Sequence, residues 1–189
     1  MKIEIDSRGL ERADTLLKDL PKAADKVKKK AMRQAFKGIK QAALKEIASS
    51  YTLQKSRASG TMSTSYRGSS AIFSSRGRVN DLSYFKHSPA GIPKHRPPSG
   101  KYLYSQVVKG AGGTIAHAFL ARMSSGHIGV FQRAAHGAVN SSLPIQKMTG
   151  PSTPQMLSKP AIRQHLESRV SEKFSIAVDR EIAAYLERL

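Results

Sequence analysis

The sequence predicts an α+β fold with N-terminal helices, a central antiparallel β-sheet of about four or five strands, and a long C-terminal helix. Three observations carry this. Apolar residues recur at helical spacing between Pro21 and Ser50, and again between Ser158 and Leu189. Between these stretches lie short segments of β-branched and aromatic residues, separated by Gly, Pro and Ser. At 189 residues the chain is long enough for one domain with a substantial core. It is read as a single domain, 1–189, with a helical part (1–50), a Ser-rich connection (51–70), a β region (71–157) with a basic loop (89–101), and a terminal helix (158–189).

Ser7 is placed to cap a first short helix whose apolar side is Leu10, Ala13, Leu16, Leu17 and Leu20. Pro21 suits the first position of a second helix, because its missing N–H is unpaired there anyway. Two adjacent rows, Ala24, Val27, Ala31, Ala35, Ala42 and Met32, Phe36, Ile39, Ala43, Ile47, give that helix a broad apolar stripe. Lys22, Lys26, Lys29, Lys30, Arg33, Lys37 and Lys40 fall largely off the stripe, as a solvated face or a basic flank. Residues 51–70 lose periodicity and read as a mobile or partner-ordered connection.

Strands are expected at Ala71–Ser75, Tyr102–Lys109, Ala116–Arg122, His127–Arg133 and Leu143–Lys147. Ser124, Ser125 and Gly126 join the third and fourth as an antiparallel hairpin. Pro89, Pro93, Pro97 and Pro98 force an extended loop that also holds Lys94, His95, Arg96 and Lys101. Gly150, Pro151, Pro154 and Pro160 close the β region, and Ser158 is placed to cap the last helix. Ile162, Leu166, Val170, Phe174, Ala177, Tyr185 and Leu189 share one face of it, joined by Val178, Ile182 and Leu186.

The net charge of +19 is uneven. Residues 51–160 hold 14 Lys and Arg and a single acid, Asp81, so internal ion pairing cannot neutralise them. An external polyanion or an acidic partner surface is the natural counter-charge. Lys94, Arg96, Lys101 and Lys109 are the candidate contacts. No apolar run approaches the roughly 18 residues of a membrane span, and the N-terminus lacks a signal-peptide core, so a soluble, unexported protein is expected.

Enzyme chemistry has no evident home. Cys is absent, and the six His lack metal-ligand spacing, so no metal or other cofactor is expected. Asp81 stands alone where an acid–base pair would need a second group, and His127 reads as a turn or strand residue with a satisfied ring. No Gly-x-Ser-x-Gly elbow occurs, and Gly100-Lys101-Tyr102 lacks the rest of a phosphate loop.

The stretch AFLARMSSGHIGVFQR, followed after a polar turn by LPIQKMTGPSTPQM, resembles the minor tail protein Z family of tailed bacteriophages. The elements of the likeness are Phe119, Gly126, Gly129, Val130 and Phe131 with Arg133, then Leu143-Pro144-Ile145, then Gly150-Pro151-Ser152 with Pro154 and Met156. A weaker likeness reaches back through Leu82 and Phe85 to Tyr51 and the N-terminal helix. The resemblance implies a virion structural protein, not an enzyme, that completes the head-proximal end of the tail. It implies self-association, as a hexameric ring, and contact with tail tube, tail terminator or connector proteins and with DNA in the channel, but no membrane. Its location would be the virion tail or neck, after assembly in the host cytoplasm.

Each residue of the likeness also has a structural role open to it. Gly129 and Gly150 suit turns or close backbone approach; Pro144, Pro151 and Pro154 restrict the exit from the sheet, beside Ser152; Phe119 and Phe131 suit a core. Arg133 is expected to face the other side of the sheet from Phe131, toward a ring interface or DNA. The alternative is a basic protein that binds nucleic acid without reading sequence, through backbone phosphates.

Overall fold

The computed structural model describes residues 2–3, 11, 14–15, 18, 21–68, 70–95, 103–133 and 145–187. Most of the expected first helix therefore lies outside the described residues. The protein is mixed helix and sheet with a long C-terminal helix, and it divides into two compact units, each built from separated stretches of chain.

The first unit comprises residues 1–45, 61–76 and 154–189. Helix α1 (Pro21–Phe36) packs along α5 (Pro160–Leu186), the long C-terminal helix. Ala23, Ala24, Ala31 and Ala35 are buried on α1, where small side chains permit close approach. On α5 the buried face is Ile162, Leu166, Val170, Phe174, Ala177, Val178 and Ile182, as the periodicity requires. At its outer end Leu186 is exposed instead. Glu181 clips the two helices, accepting from Gln34 Nε2 at 2.7 Å with Lys30 Nζ at 3.3 Å. A short helix α4 (Thr153–Leu157) precedes α5, which starts at Pro160 with Lys159 at the cap position; the Ser158 hydroxyl instead donates to the Pro154 carbonyl at 2.8 Å.

The helix expected to run unbroken from Pro21 stops at Phe36 and resumes as α2 (Ile39–Ser50). Gly38 takes φ +82°, a left-handed geometry that ends α-helices readily because Gly has no Cβ to clash. The stripe survives the break, since Met32, Phe36, Ile39, Ala43 and Ile47 are all buried.

Strands β1 (Lys2–Ile3), β2 (Met62–Arg67) and β3 (Ser70–Ser75) form a sheet in the order β1-β3-β2. Six residues of the Ser-rich stretch, Met62–Arg67, are thus an ordered strand. Hydroxyls pair across to β3, Ser63 with Ser74 at 2.9 Å and the preceding Thr61 with Ser75 at 3.2 Å, which a hydrophobic pattern cannot reveal.

The second unit comprises residues 46–60 and 77–153. Tyr51 bridges to Val108, and α3 (Lys55–Ser59) follows. Strand β4 (Asn80–Asp81) leads into a 3-10 turn at Leu82–Tyr84 and then β5 (Lys86–Ser88), β6 (Leu103–Val108) and β7 (Ala111–Ile115). The expected hairpin is present as β8 (Ala118–Arg122) and β9 (Ile128–Arg133), with Gly126 at φ +82° in its turn. Strands β10 (Ile145–Lys147) and β11 (Thr149–Gly150) complete the unit.

The expected single central sheet is replaced by several small antiparallel ones: β1-β3-β2, β5-β6-β7, β10-β9-β8 and the two-stranded β4-β11. The strands are two to six residues long, so most pair with a neighbour in sequence and stop. Among the described residues no helix is long and apolar enough to cross a membrane.

Candidate functional site: a buried carboxylate in a basic unit

Asp81 occupies the centre of the second unit. It lies on β4, opposite Thr149 of β11, and its side chain is 1% exposed. Three donors converge on it: the Ser83 amide at 3.0 Å, His127 Nε2 at 2.6 Å and Lys147 Nζ at 3.0 Å. Burial pushes the Asp81 carboxyl upward, but the Ser83 amide, Lys147 and His127 outweigh it and hold the group below the usual carboxylate range. The ring of His127 is therefore satisfied, as expected. The carboxylate itself was discounted in the sequence because no second acid accompanies it.

The backbone at Gly129 lies against this carboxylate. A Cβ on Gly129 would stand 3.1 Å from Asp81 Oδ2 and 3.1 Å from the Phe131 ring, so the backbone of β9 approaches closely there. A Cβ on Gly150 would come within 2.6 Å of the Phe85 ring. Asn80 Nδ2 donates to the Pro151 carbonyl at 2.8 Å, and Met148 N donates to Val130 O at 2.8 Å. Ser152 is buried, Pro151 and Pro154 are half-buried, and Pro144 lies outside the described residues.

Phe131 is buried, whereas Phe119 is only half-buried; their rings are 6.3 Å apart across the β8–β9 pair. The Arg133 guanidinium lies over the Phe119 ring at 5.3 Å. Arg133 thus shares the face of Phe131, contrary to expectation, because side chains two residues apart on a strand project the same way.

Outside the clamp the unit presents cations. Across residues 77–153 Asp81 is the sole acid, and it is buried. Lys94 and Lys109 are exposed; Arg96 and Lys101 lie outside the described residues, as does the whole of the basic loop from 96 to 101. Arg57 stacks on the Tyr84 ring at 4.0 Å, and His127 meets the same ring edge-on at 6.3 Å. This Arg57–Tyr84–His127 stack was not anticipated, since its members are far apart in sequence.

Chemically, the centre is a clamp. The Ser83 hydroxyl donates to the Ile128 carbonyl at 3.3 Å, and the Ser83 side chain also helps hold the Asp81 carboxyl down. Among the described residues no three His, Cys, Asp or Glu side chains gather as metal ligands. Fold and site together define an α+β protein whose basic second unit is organised around one buried, charge-paired carboxylate. Comparison of the chain with family models, with curated proteins and with solved structures finds no match.

Proposed function

We propose that this chain is a structural protein of a tailed-phage virion, completing the head-proximal end of the tail as a ring, hexameric in its simplest form, around the DNA channel. The observation that carries the reading is the ordered likeness from Phe119 to Met156 to the minor tail protein Z family. Its support in the fold is that a Cβ would be tight at Gly129, 3.1 Å from Asp81, and would press on the Phe85 ring at Gly150. Such close approaches constrain how the backbone packs. Neighbouring tail tube, terminator or connector proteins are the proposed partners, with DNA or acidic protein surfaces meeting the cations. The proposed setting is the tail or neck of the virion, after assembly in the host cytoplasm.

A second reading, sequence-independent nucleic-acid binding, is favoured by the one-sided charge of the second unit. Particle mass and salt dependence separate the two. A discrete ring that joins tails supports the first; a monomer that binds duplex DNA with a steep salt slope supports the second. Normal tail joining after deletion of the gene overturns the first.

A further inference from the structure

Helix α1 carries six basic residues and one acid, whereas α5, the helix it packs against in the same unit, carries four of each. Lys22, Lys26, Lys29 and Arg33 stand at i, i+4, i+7 and i+11, which at 3.6 residues per turn keeps them within about 60° of arc along about 16 Å of helix. All four are exposed, on the side opposite the buried row Ala24, Val27, Ala31 and Ala35. Among the described residues the other two cations of α1 are paired, Lys28 with Asp14 and Lys30 with Glu181, and no carboxylate pairs with the four. Asp25, the one acid of the helix, lies at a margin of the stripe.

Solvation alone does not call for this arrangement. Like charges three or four positions apart destabilise a helix, and Lys22, in a first turn without an acid, opposes the helix dipole. The balanced charges of α5 keep that helix solvated without either cost. An anion laid along the stripe offsets the repulsion. The face also discriminates among polyanions. It holds no aromatic side chain on which single-stranded nucleic acid would stack. The apolar side that an amphipathic helix would sink into a membrane is already buried. Protein interfaces are depleted in Lys, yet three of these four residues are Lys. A straight row of cations instead meets the regular phosphates of duplex DNA without needing any base contact.

We propose that the face of α1 formed by Lys22, Lys26, Lys29 and Arg33 is a docking site for the phosphate backbone of duplex DNA. It gives the first unit a DNA contact of its own, and it rests on the functional readings above only for DNA as the polyanion. Fluorescence anisotropy with a labelled duplex of about 20 base pairs, over about 50 to 200 mM salt, tests it. Changing the four residues to Gln should weaken binding about tenfold or more and flatten the salt slope by about 3 to 4. Changing Arg163, Arg169, Lys173 and Arg180 of α5 to Gln removes the same charge from the same unit and should weaken binding by less than about threefold. Asp25→Asn should tighten it about twofold. None of these positions is buried and Gln sustains a helix about as well as Lys or Arg, so the variants retain the fold. A chain that binds no duplex, an α1 variant with unchanged affinity and slope, an equal loss in the α5 variant, or displacement of the duplex by polyglutamate at equal charge overturns the proposal. Loss of binding only when Lys94, Arg96 and Lys101 are changed to Gln overturns this face and supports the second reading. Loss in the α1 variant supports the face, whatever deletion of the gene does to tail joining.

Discussion

Replacing Asp81 by Asn removes the charge at the centre of the second unit while preserving its shape. The carboxylate accepts from the Ser83 amide at 3.0 Å, His127 at 2.6 Å and Lys147 at 3.0 Å, and its side chain is 1% exposed. Hydrogen bonds to charged groups contribute about 1.5–3 kcal/mol each, and breaking a fully buried ion pair costs about 3–5 kcal/mol. Here the partner side chains regain water easily, Lys147 being 47% and His127 33% exposed, so the loss lies toward the lower end. An Asn oxygen also keeps the Ser83 contact. We expect destabilisation of about 2–3 kcal/mol, which for a chain of this length lowers Tm by about 4–12 °C. Thermal unfolding followed by circular dichroism at pH 7 reads it directly.

The pH dependence supplies the sign. The folded Asp81 carboxyl lies below its unfolded value near 3.8. Its stabilisation is therefore complete above the unfolded value and is lost as pH falls through the folded one. The gap between the unaltered chain and Asp81→Asn should be constant from pH 5 to 7 and close progressively below about pH 4. Equal stability at pH 7, or a gap that persists undiminished at pH 2, refutes the charge-clamp account.

Gly150→Ala drives a Cβ to within 2.6 Å of the Phe85 ring and should cost about 1–3 kcal/mol, measured by urea unfolding; no loss means that Phe85 does not pack there. Changing Lys94, Arg96 and Lys101 together to Gln should leave assembly intact by sedimentation while impairing genome placement or infectivity. If the chain instead binds duplex DNA as a monomer, that triple variant should flatten the salt slope by up to about 3.

Periodicity located α1, α2 and α5 because each buries one continuous face, and hairpin chemistry located β8 and β9 because Gly126 marks the turn. Less legible was whatever depends on partners distant in the chain. The ordering of Met62–Arg67 comes from pairing with Ser70–Ser75, and alternating serines carry no apolar pattern. The break at Gly38 falls inside an uninterrupted stripe, so only the backbone angle exposes it. Asp81 looked isolated because its partners, His127 and Lys147, are 46 and 66 positions away in sequence. A lone acid amid 14 cations was nonetheless a clue: buried charges require pairing, and cations were all that the region could supply.

The proposed tail role is tested most directly by deleting the gene from the phage that the proposal requires and examining the particles by electron microscopy. The account predicts filled heads and separate tails that fail to join or to deliver DNA, with joining restored by the chain supplied in trans. Normal, infectious, fully joined particles from the deletion would contradict it.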